Sequence, residues 1–280
     1  MAVFNINYMS KALSRTVQIM VILPTDKMVF PGMPVREEKP FKTLYLLHGV
    51  FGSQVDWLYG TRIQRWAEAN DLAVVMPAGE NGFYVDQPWN CKYYSKFISE
   101  DLVEFTRKSF PLSHKREDTF IGGLSMGGFG AIHNGFKYHE TFGNIIALSA
   151  ALIVNEDLPK RTDDSPMEIN TRRYATSCFG PDLDAVLQSD INPKYLVKRL
   201  KDEGAELPKV FMACGDKDHL LTADEDFKDY LEELGVDVTW EVGPGNHEWD
   251  FWDTYIKKAL DWLPLERGVA GMNSGNVHKD

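Results

Sequence analysis

One serine in this chain has neighbours arranged for nucleophilic chemistry. Gly123-Leu124-Ser125-Met126-Gly127 follows the pattern G-x-S-x-G. In such an elbow, a sharp strand-to-helix turn lifts a serine hydroxyl above the end of a strand. Residues two positions away on either side must be small, or their side chains would run into the adjoining strand and helix. Gly123 and Gly127 meet that need, and Gly122 and Gly128 extend it. The turn also aims the partly positive N-terminus of the next helix at an oxyanion forming beside the serine. An apolar run, DTFIGG, leads in, and a helical pattern, GGFGAIHNGF, leads out. A glycine-rich strand–helix turn can instead cradle a phosphate, but neither GxxxxGK(S/T) nor GxGxxG is present here.

A serine hydroxyl is a weak nucleophile until a base takes its proton. Seven histidines are available: His48, His114, His133, His139, His219, His247 and His278. With an elbow of this kind the chain order is serine, acid, histidine, each at the C-terminal end of a strand. His247 fits, because it follows the last apolar run in the loop Gly243-Pro244-Gly245-Asn246. A zinc-binding HExxH reading fails there, since Phe251 stands where the second histidine would be. His48 is a rival base, but its place at an early strand end suits a loop-orienting role. The acid should follow KVFMACG. Asp216 and Asp218 both do, whereas Asp224 and Asp226 fall on the next helix. Asp218, three residues past Gly215, can turn back toward the histidine, where it would hold the imidazole tautomer. Asp216 reads as a turn or capping residue.

Two backbone N–H groups should face the oxyanion, one from Met126 just after the serine, the other from the loop His48-Gly49-Val50-Phe51-Gly52, with Val50 the donor. Aromatic residues gather near these loops: Phe51, Trp57, Phe83, Tyr84, Trp89 and Trp249. His48, Phe51, Trp57 and Trp249 are the candidates for touching a substrate, with ordinary core packing the competing reading for each. His133 and His139 read as structural or exposed, and Cys214, in an apolar strand, as buried and inert.

These residues need a scaffold of strands with a common exit edge. Short apolar runs alternate with helical patterns, which predicts an α/β fold with a mostly parallel sheet of about eight strands flanked by helices. Val3–Tyr8 and Thr16–Leu23 read as an antiparallel hairpin. The later strands are Thr43–Leu47, Leu72–Met76, a strand entered at Thr119–Ile121, Asn144–Leu148, Lys209–Ala213 and Val236–Val242. Helices are predicted over Asp56–Ala69, Ser95–Ser109, Met126–Lys137, Thr222–Leu234 and Glu248–Trp262. Asp26–Pro40 reads as a surface loop. The less regular stretch 150–207 is a candidate lid-like insertion within a single domain over 1–265, and 266–280 reads as a disordered tail.

The 280 residues include 44% hydrophobic and 25% charged positions, ordinary for a globular chain. A net charge of −11 without a Lys/Arg cluster argues against nucleic-acid partners. Cys91, Cys178 and Cys214 are odd in number and form no CxxC, which suits reduced thiols in a cytoplasm. The first residues lack the order of a signal peptide, and no apolar run reaches the roughly 18 residues that span a bilayer. The reading is therefore a cytoplasmic protein acting on a small molecule, without membrane contact, metal or organic cofactor. It leaves homo-oligomerisation open.

With these motifs in place, the chain resembles the esterase D / tributyrin esterase family of α/β-hydrolases. That group also takes in feruloyl (cinnamoyl) esterases, S-formylglutathione hydrolases and mycolyltransferases. The likeness covers about Met1 to Leu265 and rests on LYLLHG at 44–49, NGFYVD at 81–86, HKREDTFIGGLSMGG at 114–128, CGDKD at 214–218 and GNHEWDFW at 245–252. It implies an α/β-hydrolase fold and Ser125, Asp218 and His247 as a catalytic triad. The implied activity is a serine carboxylesterase acting on short-chain acyl esters. Alternatives are a feruloyl or acetyl esterase working on plant polysaccharide side chains, an S-formylglutathione hydrolase, or a non-catalytic binding protein on the same scaffold. The chain departs from S-formylglutathione hydrolases, which carry an LSGL-type sequence where it has LLHGVFG. It departs from mycolyltransferases at His48, where they carry aspartate.

Overall fold

A computed structural model describes residues 1–27, 31 and 37–266. The expected tail therefore lies, but for its first residue, outside the described residues. Eight strands form one sheet: β1 (Ala2–Ser10), β2 (Arg15–Leu23), β3 (Lys42–Leu47), β4 (Leu72–Pro77), β5 (Thr119–Leu124), β6 (Asn144–Leu148), β7 (Lys209–Gly215) and β8 (Val238–Gly243). Their spatial order is β1-β2-β4-β3-β5-β6-β7-β8. β1 and β2 form the expected antiparallel hairpin, β2 meets β4 antiparallel, and the strands from β4 to β8 run parallel.

The sequence explains this division. β4 (LAVVMP), β5 (TFIGGL) and β6 (NIIAL) are buried at every residue, as strands covered on both faces must be, and so read as unbroken apolar runs. β1 sits at an edge and leaves most of its residues partly or fully exposed. Within the central strands, alternate residues serve two cores. Leu44, Leu46 and Phe120 join the core that holds Trp66 and Trp252. Tyr45, Leu47 and Ile121 join the larger core that holds Phe129 and Phe136.

Register brings the strand ends together. Leu47 pairs with Gly123, Leu124 with Leu148, Leu148 with Ala213, and Gly215 with Gly243. The exits of β3, β5, β6, β7 and β8 thus share one edge, the edge where parallel α/β sheets bind their ligands.

Two predicted helices differ from expectation. Asp56–Ala69 is broken into Asp56–Gly60 and Ile63–Ala69. A Cβ on Gly60 would lie 2.6 Å from Trp249, so only glycine lets that ring pack against the end of the first helix. Thr61 is extended, and Asp253 accepts from the Arg62 N–H at 2.7 Å. The run before Ser109 starts at Tyr94 and holds a π-turn at Phe97–Asp101 before the α-helix Leu102–Ser109. Its Ser95 donates to the buried Asn134 at 2.6 Å.

The stretch 150–207 holds helices Arg172–Phe179, Leu183–Val186 and Pro193–Asp202, started by the capping side chains of Thr171, Asp182 and Asn192. The last is the crossover into β7. Leu158, Phe179, Leu183 and Leu196 of this stretch are buried in the larger core. Among the described residues no helix is long and apolar enough to cross a membrane.

Candidate active site

The elbow forms as its glycines require. β5 ends at Leu124, Ser125 sits at φ 52° and ψ −120°, and the helix Met126–Lys137 begins at the next residue. A left-handed φ is strained for serine. Three hydrogen bonds fix it: Ser125 N–H donates to Leu148 O at 2.9 Å, and its carbonyl accepts from Ala151 at 2.9 Å and Phe129 at 3.1 Å. A Cβ on Gly123 would collide with the Gly127 carbonyl, and one on Gly127 with the Leu47 carbonyl. The helix start is therefore pressed against the exit of β3.

His247 and Asp218 come to this serine from two other strand exits. His247 Nε2 lies 3.1 Å from Ser125 Oγ, and His247 Nδ1 lies 2.9 Å from Asp218 Oδ2. The three residues the sequence singled out thus form one hydrogen-bonded chain. The Asp218 side chain is fully buried, whereas the His247 side chain is 23% exposed. Burial opposes ionisation of Asp218. The hydrogen bond from His247 and the Leu220 N–H at 3.0 Å outweigh it and hold the carboxyl below its usual range. Trp252 stands edge-on to the imidazole, 4.9 Å between centroids.

Asp216 caps no helix among the described residues but ties a distant loop in place. Its carboxylate accepts from the Gly245 N–H at 3.1 Å, in the loop that carries His247. Gly245 has φ 149°, and a Cβ on Gly215 would crowd its carbonyl, so that loop folds flat against the end of β7.

The loop after β3 lies over the elbow. A Cβ on Gly49 would come within 2.8 Å of Leu124 and 3.5 Å of the Ser125 Cβ. Met126 is the first residue of its helix, so its N–H has no intrahelical acceptor. Val50, partly buried, follows Gly49 in this turn.

His48 is buried, with both ring nitrogens engaged. Nδ1–H donates to Gly49 O at 2.7 Å, which leaves Nε2 to accept from the Gly79 N–H at 2.8 Å. Burial lowers its pKa against the opposing pull of the Gly49 carbonyl and Asp56. The ring ties the β3 loop to the β4 loop and presents no free nitrogen to a substrate. Trp57 is likewise buried, donating to Leu47 O at 2.9 Å. Of the four expected contact residues, only Phe51, 72% exposed, and the partly buried Trp249 face outward.

Two residues without an assigned role in the sequence reading prove to matter here. Asn81 accepts the Phe51 N–H at 2.8 Å, with Phe51 held at φ 64°. The Asn81 carbonyl accepts from Tyr174 at 2.7 Å, in the stretch after β6. The only sequence signal was the turn-forming Asn81-Gly82 pair. Asp224, set aside as a helix residue, is fully buried and accepts the Ala150 N–H at 2.9 Å, next to the Ala151 that binds Ser125. Burial pushes its carboxyl well above the ordinary range, reinforced by the charge of Asp218. The surroundings of these two carboxyl groups push their pKa values in opposite directions, Asp218 down and Asp224 up.

A cleft of about 180 Å³ is lined by Leu152, Ile153, Arg161 and Leu220 among others. Leu152 follows the Ala151 that binds Ser125, and Leu220 binds Asp218 through its N–H.

Fold and site together define a serine hydrolase of the α/β-hydrolase fold. A family model described as "Putative esterase" matches residues 10–263, and the chain belongs to that esterase family. It is 42% identical over 265 residues to an acetyl esterase of Caldicellulosiruptor saccharolyticus, covering 94% of this chain and 98% of the relative. Among solved structures it is similar to the fluorophosphonate-binding serine hydrolase F of Staphylococcus aureus (32% identity, TM-score 0.80), covering 94% of this chain and 98% of that one. An S-formylglutathione hydrolase of the same organism gives 31% identity and a TM-score of 0.78 over the same shares. The protein is a serine carboxylesterase.

Proposed function

We propose that this esterase hydrolyses short-chain acyl esters, acetyl esters foremost, through Ser125, His247 and Asp218. The observation that carries the reading is the unbroken hydrogen-bond chain from Ser125 Oγ through His247 to Asp218. His247 Nε2 takes the hydroxyl proton as Ser125 Oγ attacks the ester carbonyl. The Val50 and Met126 N–H groups hold the oxyanion. The alcohol departs with the proton from His247, leaving an acyl-serine. Water then attacks the acyl carbon, His247 takes its proton, and the acid leaves as Ser125 Oγ recovers a proton. Asp218 holds Nδ1–H and stabilises the imidazolium formed in each half.

The acyl group lies in the cleft beside Leu152 and Leu220. Its 180 Å³ is small against the roughly 300–1,000 Å³ of pockets for drug-sized ligands, which supports a short acyl chain. The acetyl esterase relative supports the same size class. The S-formylglutathione hydrolase neighbour extends the range to small-acyl thioesters. Cys91, Cys178 and Cys214 are all unpaired, which supports a reducing, cytoplasmic setting.

The test is a panel of p-nitrophenyl acetate, butyrate and octanoate, methyl ferulate and S-formylglutathione, run on wild type and Ser125→Ala. The expected outcome is fastest turnover of acetate and butyrate and a loss of kcat by a factor on the order of 10⁴ or more in the variant. Comparable turnover by Ser125→Ala, or a preference for octanoate or ferulate, overturns the reading.

A further inference from the structure

The acid of the triad has a second histidine. His219 Nδ1 lies 3.4 Å from Asp218 Oδ1, on the carboxylate oxygen that His247 does not use. The two imidazoles face each other edge to face, 5.0 Å between centroids at 64°. One ligand atom from each of Asp218, His219 and His247 lies within 4.8 Å of the others. Ester hydrolysis by the steps above makes no use of His219, whose side chain is 71% exposed.

We propose that Asp218, His219 and His247 form a chelating site for a zinc-class divalent cation, and that its occupation shuts the esterase off. Two imidazole nitrogens and one carboxylate oxygen make a donor set for zinc or copper(II) rather than magnesium or calcium, which prefer oxygen. Metal–ligand bonds of about 2.0–2.2 Å put neighbouring ligands of a tetrahedral ion about 3.3 Å apart. His247 Nδ1 stands 2.9 Å from Asp218 Oδ2 and His219 Nδ1 3.4 Å from Asp218 Oδ1, both near that value but on different oxygens, so a turn of His219 is needed to bring the two rings to one oxygen. The imidazole–imidazole gap closes by rotation of His219, which solvent leaves free to turn, while buried Asp218 stays fixed.

Such an ion stops the chemistry through the ring proton. Coordination at His247 Nδ1 uses the lone pair there, so the single proton of the neutral ring must sit on Nε2. Nε2–H then faces Ser125 as a donor, and the ring has no lone pair to accept the hydroxyl proton. The metal also takes the Asp218 oxygen that stabilises the imidazolium. No oxidant, reductant or further reactant is needed, and a chelator restores the original tautomer.

The inference rests on the triad reading for its effect on rate, but not for binding of the ion, so two readouts separate them. Rates on p-nitrophenyl acetate should fall with added zinc chloride, recover with EDTA and ignore magnesium. His219→Gln should keep the metal-free rate yet need at least about tenfold more zinc for half inhibition, since losing even an outer-sphere partner typically costs 10–100-fold in affinity. Cys91→Ser, which removes the exposed thiol, should stay as sensitive as wild type. Equal sensitivity of His219→Gln and wild type, or relief by Cys91→Ser, overturns the site.

Independently of activity, cobalt(II) should give visible absorption bands on Ser125→Ala that are lost on adding His219→Gln. Absence of those bands sinks the proposal. If the bands form while Ser125→Ala still turns over ester, the metal site stands and the triad assignment falls alone.

Discussion

Two buried carboxyl groups, Asp218 and Asp224, lie behind the same histidine, and their environments drive them apart. Asp218 is ionised because it accepts from His247 and Leu220. Asp224 has the Ala150 N–H but is fully buried beside a like charge, which raises its pKa well above the ordinary value. The sign of the stability effect follows. In the unfolded chain Asp224 loses its proton near its ordinary value of 3.8, whereas the folded chain keeps it to much higher pH. The folded state therefore holds one more proton above that value, and stability falls as pH rises between the two pKa values. Asp224→Asn keeps an oxygen for Ala150 N–H and carries no proton to lose. Its melting temperature relative to wild type should rise as pH is raised above about 4, with kcat nearly unchanged. A constant difference across that range would mean Asp224 is ionised in the fold. The hydrogen-bonded grouping of Ser125, His247 and Asp218 was legible in the sequence because an elbow pattern and a fixed chain order constrain three residues at once. Asp224 was not, because nothing in helix spacing reports that this turn faces the end of β6.

Elements explain the next layer. In the proposed mechanism the β3 loop presents Val50 N–H to the oxyanion, yet it contains a left-handed Phe51 and has no regular structure of its own. It is held from outside: His48 ties it to Gly79, Tyr84 donates to His48 O at 2.9 Å, and Asn81 takes the Phe51 N–H. Asn81→Ala removes the last of these and leaves a strained residue unsupported. Since deleting one oxyanion donor outright costs about 10²–10³ in turnover, loosening its loop should lower kcat by about tenfold with little change in KM. Steady-state kinetics on p-nitrophenyl acetate checks this. A rise in KM at constant kcat would place Asn81 in substrate binding instead. Strands were read well here because buried parallel strands are continuous apolar runs. The helix over Asp56–Ala69 breaks where residues far along the chain pack, Trp249 on Gly60 and Asp253 on the Arg62 N–H. Periodicity sees neighbours in sequence, not a ring arriving from another helix.

At the scale of the whole molecule, the sheet edge is common to the fold, and the stretch between β6 and β7 packs near it. That stretch supplies six of the eight residues lining the cleft: Leu152, Ile153, Asn155, Asp157, Leu158 and Arg161. Its apolar anchors are buried in the larger core, so the cleft's size is set by packing and cannot change freely. Its irregular sequence hid this, because those anchors are spaced by turns and short helices rather than by one period. Ile153 is the wall residue best suited to a test. It is only partly buried, whereas Leu152 and Leu158 belong to the core, where a Leu→Ala change costs about 2–5 kcal/mol. Ile153→Ala should enlarge the cleft at little cost in stability. Each methylene accommodated in an apolar pocket is worth about 1–3 kcal/mol, or roughly 10–200-fold. The kcat/KM ratio of p-nitrophenyl hexanoate to acetate should therefore rise at least about tenfold in the variant. Because Ile153 touches no member of the triad, the acetate rate should hold within a few-fold. An unchanged ratio in a well-folded variant would mean that the acyl chain lies elsewhere, and that the stretch after β6 does not set its length.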